Sequence, residues 1–153
     1  FKTFLKLSPP LRTEDDRKAL IEGVKTGLID VIISDHNPED EESKRLPFAQ
    51  AATGAIGIET LLPLALEMYH NETLSLNKII ETLTINPSKI LKIDKGTLKK
   101  GAEADICIFD LETPWVVKAG NLKSKSKNTA IENRKLQGKI LMTFLNGELV
   151  FNQ

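Results

Sequence analysis

Apolar positions along the first third of the chain alternate between strand-like and helix-like rhythms. Phe4-Leu5-Lys6-Leu7 reads as a short strand. Ser8-Pro9-Pro10 stops it, because proline cannot donate to a sheet ladder. Thr13 then stands as a helix N-cap, with Glu14, Asp15 and Asp16 in the first turn, where the helix dipole favours negative charge. Leu20, Ile21 and Val24 form the apolar stripe of that helix, and Gly27 supplies its stop. Ile29-Asp30-Val31-Ile32-Ile33 is almost continuously apolar and β-branched, the pattern of a strand covered on both faces in a parallel sheet. Strand, helix and strand joined by short connections predict a βαβ unit whose second strand ends at Asp35.

The pattern lapses over residues 37–48, a polar stretch whose charged run, Asp40 to Arg45, is expected to be a solvated loop. Gly54 to Glu59 leads into a helix over 60–69 that accommodates Pro63 if it falls in the first turn. Leu76, Ile79, Ile80 and Leu83 recur at helical spacing, with Ser75 as cap. Asn86-Pro87 is expected to break that helix, and Ser88 to Leu91 to add a further turn. From Gly96 the rhythm becomes that of strands. Ile106 to Phe109 is one, and Ile140, Met142 and Phe144 alternate in another. Asn146-Gly147 is a two-residue hairpin turn, and Leu149-Val150-Phe151 closes the chain. The fold class is therefore α/β over residues 1–93, followed by a mostly β segment over 94–153. Neither an internal repeat nor a low-complexity tract is present.

Composition narrows the function classes. The 153 residues hold 21 basic and 21 acidic side chains, a balance that gives no reason to expect nucleic acid or an anionic membrane as partner. No apolar run approaches the ~20 residues needed to cross a bilayer. The single Cys107 excludes an intrachain disulfide and suits a reducing, cytoplasmic setting. No signal peptide is visible, and the chain starts at Phe1 rather than Met.

The candidate chemistry lies at the predicted strand end. Functional side chains of parallel α/β folds gather at the C-terminal ends of strands, and there Asp35 can ligate a divalent metal or take a proton from water. The alternative is a capping or ion-paired strand end. His36 points to the other face of the strand and is read as a packing or hydrogen-bonding group. Arg12 can anchor a carboxylate or pair with Glu14 or Asp16. Glu59, His70 and Asn71 read as helix-end capping groups, and Cys107 as core. The chain carries no phosphate-binding glycine loop with its lysine, no paired-cysteine zinc site and no Gly-x-Ser-x-Gly elbow. A metal site needs about three or four protein ligands, and these residues offer one, Asp35.

Several of these segments together resemble the C-terminal half of the long, class I type of dihydroorotases. They are Ser8-Pro9-Pro10-Leu11-Arg12, Ile29 to His36, Leu46-Pro47-Phe48, Gly54 to Thr60 and Asn86-Pro87, in that order. Gly96-Thr97-Leu98 and Gly101 to Asp105 resemble a tail shared by many amidohydrolases, and Ser126 to Thr129 fits as well. The resemblance covers essentially the whole chain. It implies the last two strands of a metal-dependent (β/α)8 barrel, Phe4–Leu7 and Ile29–Ser34, followed from about residue 96 by part of a small β-sandwich. The rest of the barrel, with its His-x-His pair, would precede Phe1.

The implied reaction is the reversible closure of N-carbamoyl-L-aspartate to dihydroorotate, in pyrimidine synthesis. The resemblance assigns zinc, one ion or two, with Asp35 as ligand and proton shuttle. It places Ser8 where many members carry a substrate-binding asparagine, and the backbone of Ala52 to Gly54 in a substrate-contacting loop. The implied partners are the remaining N-terminal half, a second copy, or aspartate transcarbamoylase. One departure stands out: many members have a substrate-contacting histidine where this chain has Glu39, whose charge would repel an anionic substrate. The rival readings are another cyclic amidohydrolase, a hydantoinase or an allantoinase, and a non-catalytic dihydroorotase-like subunit of aspartate transcarbamoylase.

Overall fold

A computed structural model describes residues 2–153. Helix α1 (Glu14–Thr26) begins as its sequence requires. Thr13 Oγ1 accepts from the Asp16 amide and the Asp16 carboxylate accepts from the Thr13 amide, so two orphan donors of the first turn are satisfied reciprocally. Gly27 ends the helix in the left-handed region. A short helix α2 (Glu41–Arg45) follows, capped by Asp40, whose carboxylate accepts from the Ser43 amide. Helix α3 spans Leu61–His70 with Pro63 in its first turn, and α4 spans Leu76–Leu83 behind the Ser75 cap. Among the described residues no helix is long and apolar enough to cross a membrane.

Three expectations for this half are corrected. Phe4–Leu7 is not a strand: Thr3–Leu5 is a 3-10 turn, closed by amides of Leu5 and Lys6 bonding back to Lys2 and Thr3. Ile29 to Ser34 forms no ladder, because its backbone bonds to helices rather than to a neighbouring strand. The Ile32 amide donates to Thr82 O, and Asn86 Nδ2 donates to Asp30 O. Asn86-Pro87 does not break a helix but lies in the first turn of α5 (Ile85–Leu91), where proline lacks only a donor that would have no partner anyway. The interruption falls two residues before Asn86, at the cap Thr84 between α4 and α5.

Two cores hold the molecule. Val24, Ala65, Leu74 and Ile79 form the first, with Ile29, Ile32 and Met68 packed on it. Burying each large aliphatic side chain there is worth roughly 1.5–3 kcal/mol. Ile33, in contrast, is 71% exposed, so the segment is covered on one side only. The second core joins Ile56 and Leu64 to Val117, Leu122, Trp115 and Leu136 from the later half.

That half is a single three-stranded antiparallel sheet, β1 (Ile106–Val116), β2 (Lys135–Leu145) and β3 (Glu148–Asn152), in the order β1-β2-β3. A second, facing sheet is not formed among the described residues. The turn at Asn146-Gly147 has both φ angles positive, which matches the right-handed twist of a two-residue hairpin. In β1 the register shifts between Asp110 and Pro114, and the Asp110 carboxylate there accepts from the freed amides of Glu112 and Thr113. Helix α3 lies against β2 with Leu66 over Gly138, so closely that a β-carbon on Gly138 would stand 2.5 Å from Leu66 Cδ1.

Candidate active site

A cavity of about 720 Å³ opens where the first two segments meet the loop after residue 50. Ser8, Asp35, Thr53 and Gly54 line it, as does Arg134 from the later half. Asp35 ends the Ile29–Ser34 segment in the left-handed region, with φ 42°. Aspartate tolerates that region better than most residues, yet the conformation persists only where its surroundings impose it. They do so here: the next residue, His36, pairs with Ala55 in an isolated parallel bridge, and the Asn37 amide donates to Ala55 O at 2.9 Å. The Asp35 side chain is exposed and has no hydrogen-bond or ion-pair partner among the described residues.

His36 does not line the cavity. Its Nδ1 accepts from the amides of Gly57 and Ile58, at 3.1 and 3.3 Å, which assigns its proton to Nε2. It secures the 3-10 turn Ile58–Thr60 that leads into α3. Glu59, expected as a helix cap, instead accepts from the amides of Lys123 and Ser124 and ties α3 to the later segment. Arg12 pairs with Asp16 and stays out of the cavity. Asn71 is the cap residue of α3, whereas His70 closes the helix with its Nε2 buried and unpartnered. Cys107 is exposed rather than core.

Ser8 and Gly54 face the cavity, and Ala52 does not. Both backbone groups of Ala52 are engaged: its amide donates to Ser43 O and its carbonyl accepts from Lys44 Nζ. The charged run holds the reason. Lys44, in the stretch expected to be solvated, is fully buried. Its ammonium donates to Ala52 O and Gly54 O, each at 2.9 Å, and to Lys6 O at 3.3 Å. Burial pulls its pKa below the usual lysine value, the charge of Glu39 opposes that and the charge of Lys6 adds to it. Glu39 thus acts on Lys44 and does not line the cavity, so its carboxylate is not set against a substrate there.

Sequence reasoning missed Lys44, Lys6 and Asn128. Lys6 Nζ donates to the carbonyls of Phe48, Ala49 and Ala51. Asn128, only 2% exposed, donates from Nδ2 to Asn37 O and Gly54 O. Nothing in the local pattern marks a lysine within Glu-Glu-Ser-Lys-Arg as buried. Asn128 is visible only as part of a matching segment, without a role.

Residues 7–150 match the amidohydrolase family. The chain belongs to that family. This amidohydrolase chain is 46% identical over 149 residues to a dihydroorotase of Ehrlichia canis (strain Jake), covering 97% of this chain and 33% of that protein. It is 45% identical over 146 residues to the dihydroorotase of Aquifex aeolicus (strain VF5), covering 95% of this chain and 34% of that protein. It therefore spans about a third of the length of these relatives. Among solved structures, the L-hydantoinase (dihydropyrimidinase) from Arthrobacter aurescens superposes with a TM-score of 0.88 at 33% identity, over 98% of this chain and 35% of that one. A dihydropyrimidinase from Brevibacillus agri reaches 0.91 at 23% identity, over 98% and 34% of the two chains, a likeness of fold alone. The coarse expectation of part of an amidohydrolase barrel stands. Of its two expected strands, Phe4–Leu7 overlaps a 3-10 turn and Ile29–Ser34 forms no ladder.

Two acidic residues, Asp35 and Glu132, are among those that line the cavity. No group of three or more His, Cys, Asp or Glu side chains comes together among the described residues, so these residues do not by themselves make a metal site.

Proposed function

We propose that this chain is the C-terminal part of a dihydroorotase, interconverting N-carbamoyl-L-aspartate and dihydroorotate in pyrimidine synthesis. The observation that carries the reading is Asp35: an exposed carboxylate without a protein partner among the described residues, held at φ 42° on the wall of a cavity that Ser8 and Gly54 share. Strained backbone at a cavity is a pointer to function. In the ring-opening direction Asp35 takes a proton from the attacking water and returns it to the departing ring nitrogen; ring closure runs the same transfers backwards. Ser8 is assigned a hydrogen bond to substrate through its hydroxyl, and the Thr53-Gly54 wall a substrate contact.

Zinc belongs to this reading as a cofactor to which Asp35 contributes one ligand, the others lying outside these 153 residues. A bound ion would polarise the amide carbonyl and acidify water. The exposed Ile33, Leu28 and Leu98 are in keeping with surfaces that the remainder of a longer barrel would cover. The boundary near residue 94, the sandwich beside the barrel, a cytoplasmic setting, and a homodimer or an aspartate transcarbamoylase partner belong to the same reading.

The second reading is a hydantoinase, favoured by the 33% identity to the Arthrobacter aurescens enzyme. Assay of the full-length protein on dihydroorotate, carbamoyl aspartate, hydantoins and allantoin decides between them. Asp35→Asn keeps the shape and loses the basicity, so turnover should fall by at least the ~100-fold typical of lost acid–base help. Near-normal turnover in that variant would remove Asp35 from the mechanism. Turnover of hydantoins without dihydroorotate would replace the first reading by the second.

A further inference from the structure

The loop that walls the cavity with Asp35 is held by an unusual device. Four consecutive carbonyls are each captured by a side chain. Ala51 O accepts from Lys6 Nζ at 2.8 Å, Ala52 O from Lys44 Nζ at 2.9 Å, and Thr53 O from Asn37 Nδ2 at 2.9 Å. Gly54 O accepts from Lys44 Nζ at 2.9 Å and from Asn128 Nδ2 at 3.4 Å. No backbone amide among the described residues donates to these four carbonyls, and buried carbonyls left unpaired are costly. Lys44 carries two of the four. It also reaches Lys6 O, the carbonyl that accepts from the Gly54 amide at 3.0 Å. One fully buried ammonium, with three donors spent on three carbonyls, therefore joins the segment before Ser8 to both ends of the Ala52–Gly54 turn.

We propose that Lys44 is a positioning residue for substrate binding: its ammonium sets where Thr53 and Gly54 stand in the cavity wall. It does not line the cavity and touches no reacting atom. A compact ammonium suits this place because its three N–H groups can diverge towards three oxygens. A guanidinium presents its donors in one plane and cannot. The proposal rests on the dihydroorotase reading for its kinetic consequence, but not for its structural one.

The test uses the full-length protein with Lys44→Met, which keeps the length of the side chain and removes its donors, and Lys44→Arg, which keeps the charge and removes the geometry. Amide exchange at Ala52 and Gly54 should quicken by at least ~10-fold in Lys44→Met, while amides of the first core, such as Ile79, keep their rates. KM for dihydroorotate should rise about tenfold with kcat within about threefold, because binding is disturbed and the Asp35 chemistry is not. Lys44→Arg should show both changes in reduced size, and it decides the matter if Lys44→Met does not fold. Wild-type exchange at Ala52 and Gly54, an equal rise across the core amides, or an unchanged KM would each overturn the proposal. If the protein turns over hydantoins instead, KM is read with those and the dihydroorotase reading alone fails. If it turns over neither, exchange at the two amides decides.

Discussion

Replacing Gly54 with alanine probes the same wall from the backbone side. Gly54 has φ +138°, a region that residues with a β-carbon seldom enter. A β-carbon there would stand 2.2 Å from Asn37 Nδ2, 2.7 Å from Asn37 Cγ and 2.9 Å from Asn37 Cβ. Asn37 would have to swing away and release its bond to Thr53 O, made at 2.9 Å. The backbone strain costs ~1–3 kcal/mol and the lost hydrogen bond about 1 kcal/mol, so the variant should lose ~2–4 kcal/mol of stability. Urea unfolding of the full-length protein reads that loss. Gly101→Ala is the control, because its φ is also positive, +89°, but nothing lies within 4 Å of an added β-carbon. It should cost the strain alone. In an Asn37→Gly background the clash is gone, and Gly54→Ala should then cost at least ~1 kcal/mol less than in the wild type. A loss below ~0.5 kcal/mol for Gly54→Ala, or an equal loss in both backgrounds, would refute the close approach of these two residues as the reason for glycine.

Three further outcomes are expected. Ile79→Ala, at a fully buried position of the first core, should cost about 2–5 kcal/mol in the same unfolding assay, and a cost under ~1 kcal/mol would show that the site collapses around the smaller side chain. Bonds from the amides of Thr113 and Glu112 hold the Asp110 carboxyl below the usual carboxylate range. Its contribution to stability is therefore present above the unfolded value of about 3.9 and is lost as pH falls through the lower folded value. A carbon-detected titration of Asp110 should show the low midpoint, and Asp110→Asn should remove that part of the acid dependence; an unshifted midpoint would count against the bulge geometry. Residues 1–153 expressed alone should hold no stoichiometric zinc, since no group of three or more His, Cys, Asp or Glu side chains comes together among the described residues and tight sites take about three or four ligands. Tight zinc binding by this piece would show that the metal reading misplaces the ligands.

Local chemistry determined much of this protein. Thr13 with Asp16, Asp40 with Ser43, and Ser75 with Lys78 each pair residues three apart, so the caps form wherever the chain lies. The Asn146-Gly147 turn likewise needs only near neighbours. The ionisable pair Asp35-His36 marked the candidate site in the sequence, and Asp35 lines the cavity beside Glu132 and Arg134, which the sequence did not single out. Tertiary structure decided the rest, because the partners are far apart in sequence. A strand exists only with a neighbour, and Ile29 to Ser34 finds helices instead, so its strand-like pattern yields an extended segment. Lys44 reads as one more surface charge until three carbonyls from residues 6, 52 and 54 converge on it. Glu59 reads as a cap until residues 123 and 124 supply its donors. A buried polar group takes its role from whatever can satisfy it, and that is settled only when distant segments meet.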